Sequence, residues 1–113
     1  MKPFMSACLI VKNEEDMLGK CLQSLRGYID DIVVVDTGST DMTKEIAKEF
    51  TDKVYDFKWM NDFAVARNFA TSKASGEWIL AIDADECVDG ENLKKRLRKL
   101  NYRRVNMIRI LLT

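Results

Sequence analysis

Ile32-Val33-Val34-Val35 is β-branched at every position and closes on Asp36. Branching at Cβ stiffens χ1 and favours extended backbone, and an unbroken apolar run fits a strand covered on both faces. Met5 to Val11 is a second compact apolar run, with a polar cluster directly after it. A third run, Trp78-Ile79-Leu80-Ala81-Ile82, empties into Asp83-Ala84-Asp85-Glu86. Two strands therefore end on carboxylates.

Between these runs the apolar spacing lengthens to about 3.6 residues, the period of a helix. Met17, Leu18, Cys21, Leu22 and Leu25 predict a first helix with Asn13 as its cap, Glu14, Glu15 and Asp16 at its positive end, and Gly27 as its stop. Asp41 is the expected N-cap of a helix from about Met42 to Phe50, whose core stripe is Ile46, Ala47 and Phe50. Val54 to Phe57 reads as a short strand, and Asp62 caps a helix from Phe63 to about Ser72 with Gly76 near its stop. Gly90 and Glu91 start a further helix with Leu93, Leu97 and Leu100 on one face and a solvated basic face elsewhere, and Val105 to Leu112 forms a last strand. Trp59 and Trp78 are assigned to core or pocket wall.

Strand and helix alternate with short joins, so the predicted fold is α/β, a Rossmann-like parallel sheet with helices on both faces. Ligands of such sheets bind beyond the C-terminal ends of the strands, near the point where strand order reverses. Asp36, Asp83 and Asp85 all fall at that edge. Crowded carboxylates there suit a hard divalent cation, Mg²⁺ or Mn²⁺, with phosphate oxygens filling its remaining positions. A bare Asp-x-Asp also describes a solvated acidic turn.

Composition narrows the chemistry. The 113 residues suffice for one small domain, and 18 Lys+Arg against 18 Asp+Glu give no net field toward nucleic acid or anionic lipid. With no His, acyl transfer by a His-assisted nucleophile is excluded, and acid–base work falls to carboxylates, Lys, Tyr, Ser/Thr or Cys. Cys8, Cys21 and Cys87 have no Cys-x-x-Cys spacing and read as buried thiols in a reducing compartment. No run approaches membrane-spanning length and none resembles a signal peptide, so the expected location is cytoplasmic. The loop after Asp36 lacks the glycine pattern of a phosphate-cradling loop.

Four ordered segments carry a resemblance: Val11-Lys12-Asn13-Glu14-Glu15, Val34-Val35-Asp36-Thr37-Gly38-Ser39-Thr40-Asp41, Asp62-Phe63-Ala64-Val65-Ala66-Arg67-Asn68, and Ala81-Ile82-Asp83-Ala84-Asp85-Glu86. Together they resemble the nucleotide-sugar half of the family 2 glycosyltransferases, which have the glycosyltransferase-A fold, over roughly residues 5 to 100. The resemblance implies that Asp36 accepts hydrogen bonds from the base or ribose. It implies that Asp83 lies near ribose and metal, and that Asp85 holds the cation bridging the diphosphate. It places Arg67 toward the base or phosphates and Glu14 on the nucleoside pocket, although Lys12 stands where the family often has an aromatic. Each residue also has a plainer role: an Asx-turn for Asp36, a helix carboxylate partner for Arg67, the helix macrodipole for Glu14. Thr37, Gly38 and Ser39 are expected to shape a turn.

The implied ligand is a nucleoside-diphosphate sugar, a UDP-sugar by preference. In the family the acceptor-deprotonating base comes from after the Asp-x-Asp strand; here no catalytic base is assigned, because the sequence stops at Thr113 before a matching one. The expectation is either part of a longer enzyme, truncated relative to the full fold, or a short relative that keeps donor binding without transfer. The apolar Ile108 to Leu112 would then invite self-association. Three functions stay open: a metal-dependent glycosyltransferase or its donor-binding half, a non-catalytic nucleotide-sugar-binding or interaction module, and a phosphatase-like hydrolase. The last rests on the likeness of Ile82-Asp83-Ala84-Asp85 to the haloacid dehalogenase nucleophile motif, with Cys87 in place of its Thr or Val.

Overall fold

The computed structural model describes residues 5–26, 29, 31–76, 78–82 and 84. Strands β1 (Met5–Val11), β2 (Asp31–Asp36), β3 (Val54–Asp56) and β4 (Trp78–Ala81) alternate with helices α1 (Leu18–Leu25), α2 (Thr43–Lys48) and α3 (Phe63–Lys73). They make one four-stranded sheet in the order β3-β2-β1-β4, and every pairing is parallel. The chain builds outward from β1 through β2 to β3, then returns to the opposite side of β1. Strand order therefore reverses between β1 and β4, the position at which open α/β sheets take ligand.

The period-two alternation of strand side chains divides the core. Ala7, Leu9 and Val11 of β1 and Ile32 and Val34 of β2 pack with Leu18, Cys21, Leu22 and Leu25 of α1 and Ala47 of α2. Cys8, Val33 and Val35 face the other way, onto Ala70 of α3, with Ile10, Tyr55, Phe57 and Phe69 packed around them. Helices thus cover both faces, and the residues of β2 are buried along its whole length.

The helix starts differ from the sequence expectation in two places. α1 begins at Leu18, and its N-cap is Met17 with no side-chain cap bond. Asn13 is instead in the left-handed region at φ 52°, and its carboxamide is bonded to another loop. Met17, expected in the apolar stripe, is 38% exposed. α2 is shorter than expected and takes Met42 as N-cap, while Asp41 accepts one residue earlier from the N–H of Thr43 at 2.9 Å. α3 matches its expectation: Asp62 Oδ1 accepts from the Ala64 N–H at 3.0 Å. Gly27, the helix expected from Gly90 and the strand expected from Val105 lie outside the described residues.

Candidate functional site

β2 delivers Asp36 to the C-terminal edge of the sheet, paired in register with Val11 at the end of β1. Asp36 is only 2% exposed. Its Oδ1 accepts from the N–H groups of Gly38 at 2.9 Å and Ser39 at 2.8 Å, the Asx-turn its sequence context allows. Gly38 makes that turn possible, since it adopts φ 117°. Oδ2 is buried with no hydrogen-bond partner among the described residues. A buried, unsatisfied carboxylate oxygen is costly, and it marks either strain or a ligand contact.

The loop after β1 is stitched to the loop after β2. Asn13 donates its N–H to Ser39 Oγ at 2.8 Å and accepts from the Thr40 N–H at 2.8 Å. The Glu14 N–H donates to Thr43 Oγ1 at 2.8 Å, and the Glu15 N–H to Asp41 Oδ2 at 3.3 Å. Glu15 Oε1 returns the link by accepting from the Met42 N–H at 3.0 Å. The Thr43 hydroxyl also donates to Asp41. Burial pushes the Asp41 carboxyl up, but the hydrogen bonds from Thr43 and neighbouring N–H groups outweigh it and hold it below the usual carboxylate range. Glu14 and Asp36 are therefore brought into one loop assembly, with the Glu14 side chain half-buried. Glu14 precedes α1 and stands outside its first turn.

Arg67 belongs to the other face. It projects from α3 with its guanidinium 4.9 Å from the centre of the Phe63 ring, a cation–π contact one helical turn away. Arg67 and Phe63 line an open recess floored by Cys8 and Ile10 of β1 and by Ile79 and Ala81 of β4. Asp36 is not among its lining residues, whereas Ile82, the residue before Asp83, is. Burial pushes the Cys8 thiol up to about 11, with Asp31 adding to the effect.

β4 runs parallel to β1 with Ala81 opposite Cys8, and the Ile82 N–H donates to the Cys8 carbonyl at 3.3 Å. Ile82 and Ala84, which flank Asp83, are both buried. Asp83 and Asp85, the expected metal ligands, lie outside the described residues. Among the described residues no cluster of three or more candidate ligands is present.

Sequence reasoning missed the clasp between the two loops. Its signal is the density of short hydroxyl, amide and carboxylate side chains in Asn13 and in Thr37 to Thr43, which bond backbone in turns. Trp59, expected in the core or a pocket wall, is not in the core. It is 41% exposed and edge-on to Phe63 at 6.3 Å, and its N–H donates to Asn61 Oδ1 at 3.1 Å.

The match to the family model "Glycosyl transferase family 2" covers residues 6–109. The chain belongs to glycosyl transferase family 2. It is 46% identical over 81 residues to a TPR repeat-containing protein of Synechococcus elongatus, covering 72% of this chain and 20% of that protein. It is 41% identical over 95 residues to the SPbeta prophage-derived glycosyltransferase SunS of Bacillus subtilis, covering 82% of this chain and 22% of SunS. The fold resembles Staphylococcus aureus TarS, with a TM-score of 0.72 and 26% identity over 88% of this chain and 32% of that one. It also resembles glucosyl-3-phosphoglycerate synthase of Mycobacterium tuberculosis, solved with Mn²⁺ and UDP-glucose, with a TM-score of 0.63 and 25% identity. That alignment covers 75% of this chain and 34% of the synthase. The family 2 chain described here thus has the glycosyltransferase-A type of sheet and spans about a fifth of each of the two curated relatives.

Proposed function

We propose that residues 1–113 form the nucleotide-sugar-binding unit of a metal-dependent glycosyltransferase, with a UDP-sugar as donor. The observation that carries this reading is Asp36 Oδ2, a buried carboxylate oxygen with no partner among the described residues, at the C-terminal edge of the sheet. A base N–H or a ribose hydroxyl would supply the missing donor. The Mn²⁺ and UDP-glucose bound by the mycobacterial synthase support the choice of ligand.

In this proposal Asp85, with Asp83, holds Mg²⁺ or Mn²⁺, since both offer the hard oxygen donors such ions prefer. Asp83 also borders the ribose. The metal, when bound, neutralises charge on the departing nucleoside diphosphate. The chain's own residues do the rest. Asp36 fixes the nucleoside, Glu14 borders its pocket, and Arg67 offers its guanidinium to the base or phosphates from the α3 side of the sheet.

Titration of the protein with UDP-glucose and GDP-sugars, with and without Mn²⁺, tests the reading. The expected result is saturable, Mn²⁺-dependent binding of the UDP-sugar. Slow donor hydrolysis or sugar transfer would add turnover; absence of any nucleotide-sugar binding would refute the proposal.

A further inference from the structure

We propose that Asn13 is a positioning residue for Asp36, gripping the loop whose N–H groups hold the carboxylate. The inference rests on the reading of Asp36 as the nucleoside contact and assigns a second residue to that function. Asn13 is exposed, so packing does not account for its left-handed φ of 52°. Asparagine enters that region more readily than most residues, and here bonds to another loop hold it there. Three bonds do so, all to Ser39, which anchors Asp36, or to Thr40 beside it, the longest from the Thr40 hydroxyl to Asn13 Oδ1 at 3.4 Å. The Asn13 N–H takes Ser39 Oγ, and its Oδ1 takes the Thr40 N–H, each at 2.8 Å.

Ser39 links the two systems. Its hydroxyl accepts from Asn13 while its N–H donates to Asp36 Oδ1. Fixing Ser39 and Thr40 therefore fixes the Oδ1 end of Asp36 and leaves its Oδ2 still to be satisfied among the described residues. If the grip is released, the 37–40 loop gains conformations in which Gly38 and Ser39 no longer hold Oδ1. The carboxylate then has to be reordered when ligand binds, and affinity falls by that cost.

The test compares wild type with Asn13→Gly, Asn13→Asp and Ser39→Ala, using UDP with Mn²⁺ as the probe. Glycine accepts the left-handed backbone but has no carboxamide. Aspartate tolerates the same backbone and keeps an acceptor for the Thr40 N–H. Asn13→Gly is expected to weaken UDP roughly tenfold, the worth of one lost hydrogen bond, and Asn13→Asp less than about threefold. Ser39→Ala, which removes the hydroxyl that accepts from the Asn13 N–H, breaks the remaining bond of the grip and is expected to weaken UDP comparably. Hydrogen exchange at the Gly38 and Ser39 N–H groups, read without ligand, is expected to quicken in Asn13→Gly and to be restored in Asn13→Asp.

Wild-type affinity in Asn13→Gly, or equal losses in the Gly and Asp variants, would overturn the inference. Failure of wild type itself to bind UDP would sink the donor reading instead. In that case exchange alone decides, and unchanged protection of Gly38 and Ser39 in Asn13→Gly would still overturn the role assigned to Asn13.

Discussion

Val11 and Asp36 are register partners at the C-terminal ends of β1 and β2, so the loops that follow them leave the sheet side by side. The Thr37 N–H and hydroxyl both donate to the Val11 carbonyl, at 2.9 and 3.1 Å, and extend the pairing one residue beyond the strands. The adjacency makes the Asn13–Thr40 bond possible across 27 residues of sequence. It also places a buried carboxylate where strand order reverses nearby, between β1 and β4.

The opposite end of the sheet carries a buried polar pin. Asp31 accepts from Ser6 Oγ at 2.5 Å, from the Ser75 N–H at 2.7 Å and from Lys53 at 2.7 Å. Its side chain is 8% exposed and that of Lys53 31%. Removing one member leaves the others unpaired in a poorly solvated site, so Asp31→Asn is expected to cost about 2 kcal/mol. Thermal unfolding checks this as a fall in melting temperature on the order of 10 °C.

The same pin sets a pH dependence. Burial pushes the Asp31 carboxyl up, but the bonds from Lys53, Ser6 and Ser75 outweigh it and leave the group below the usual carboxylate range. A depressed folded-state value means the stabilisation is present above the unfolded value of about 3.9 and is lost as pH falls through the folded value. Denaturant midpoints measured downward from pH 5 should fall more steeply for wild type than for Asp31→Asn. Parallel curves would contradict this role.

Gly76 sits where the chain enters β4, donating its N–H to Ser6 Oγ at 2.7 Å. A Cβ there would stand 2.7 Å from both Met5 C and Ser6 N, which are backbone atoms that cannot swing away. Gly76→Ala is expected to destabilise by about 2 kcal/mol or more through displacement of β1 from β4. A wild-type melting temperature would show that the backbones accommodate it.

Cys8 floors the Arg67 recess, yet its thiol is raised to about 11 by burial and by Asp31. The thiolate is the reactive form, so Cys8 should resist alkylation at pH 8 in the folded protein and react on unfolding. Peptide mapping of iodoacetamide adducts checks this residue by residue. Rapid native labelling of Cys8 would mean the recess is deeper and wetter than described.

Much of this was legible because it is local. Apolar runs gave β1 and β2, and Asp62 gave the start of α3, since a cap and its N–H groups lie within three residues. Asn13 was misread as a cap because its residue type serves caps and left-handed turns equally, and its partners sit in another loop. Asp31 was passed over for the same reason: an Asp before an apolar run gives no sign of Lys53 or Ser75. The sequence grouped Glu14, Asp36 and Arg67 as one site. The structure joins the loops of the first two and places Arg67 on the α3 side of the sheet. Asp83 and Asp85 lie outside the described residues and stay with the proposal.

The most direct test of the central claim is calorimetric titration of UDP with Mn²⁺ into wild type and Asp36→Asn. Asparagine keeps the shape and an acceptor for Gly38 and Ser39 but removes the charge that Oδ2 offers to ligand. UDP affinity should fall by about tenfold or more, as for a lost charge-assisted hydrogen bond, with the melting temperature little changed. Equal UDP affinity in the two proteins would contradict the account.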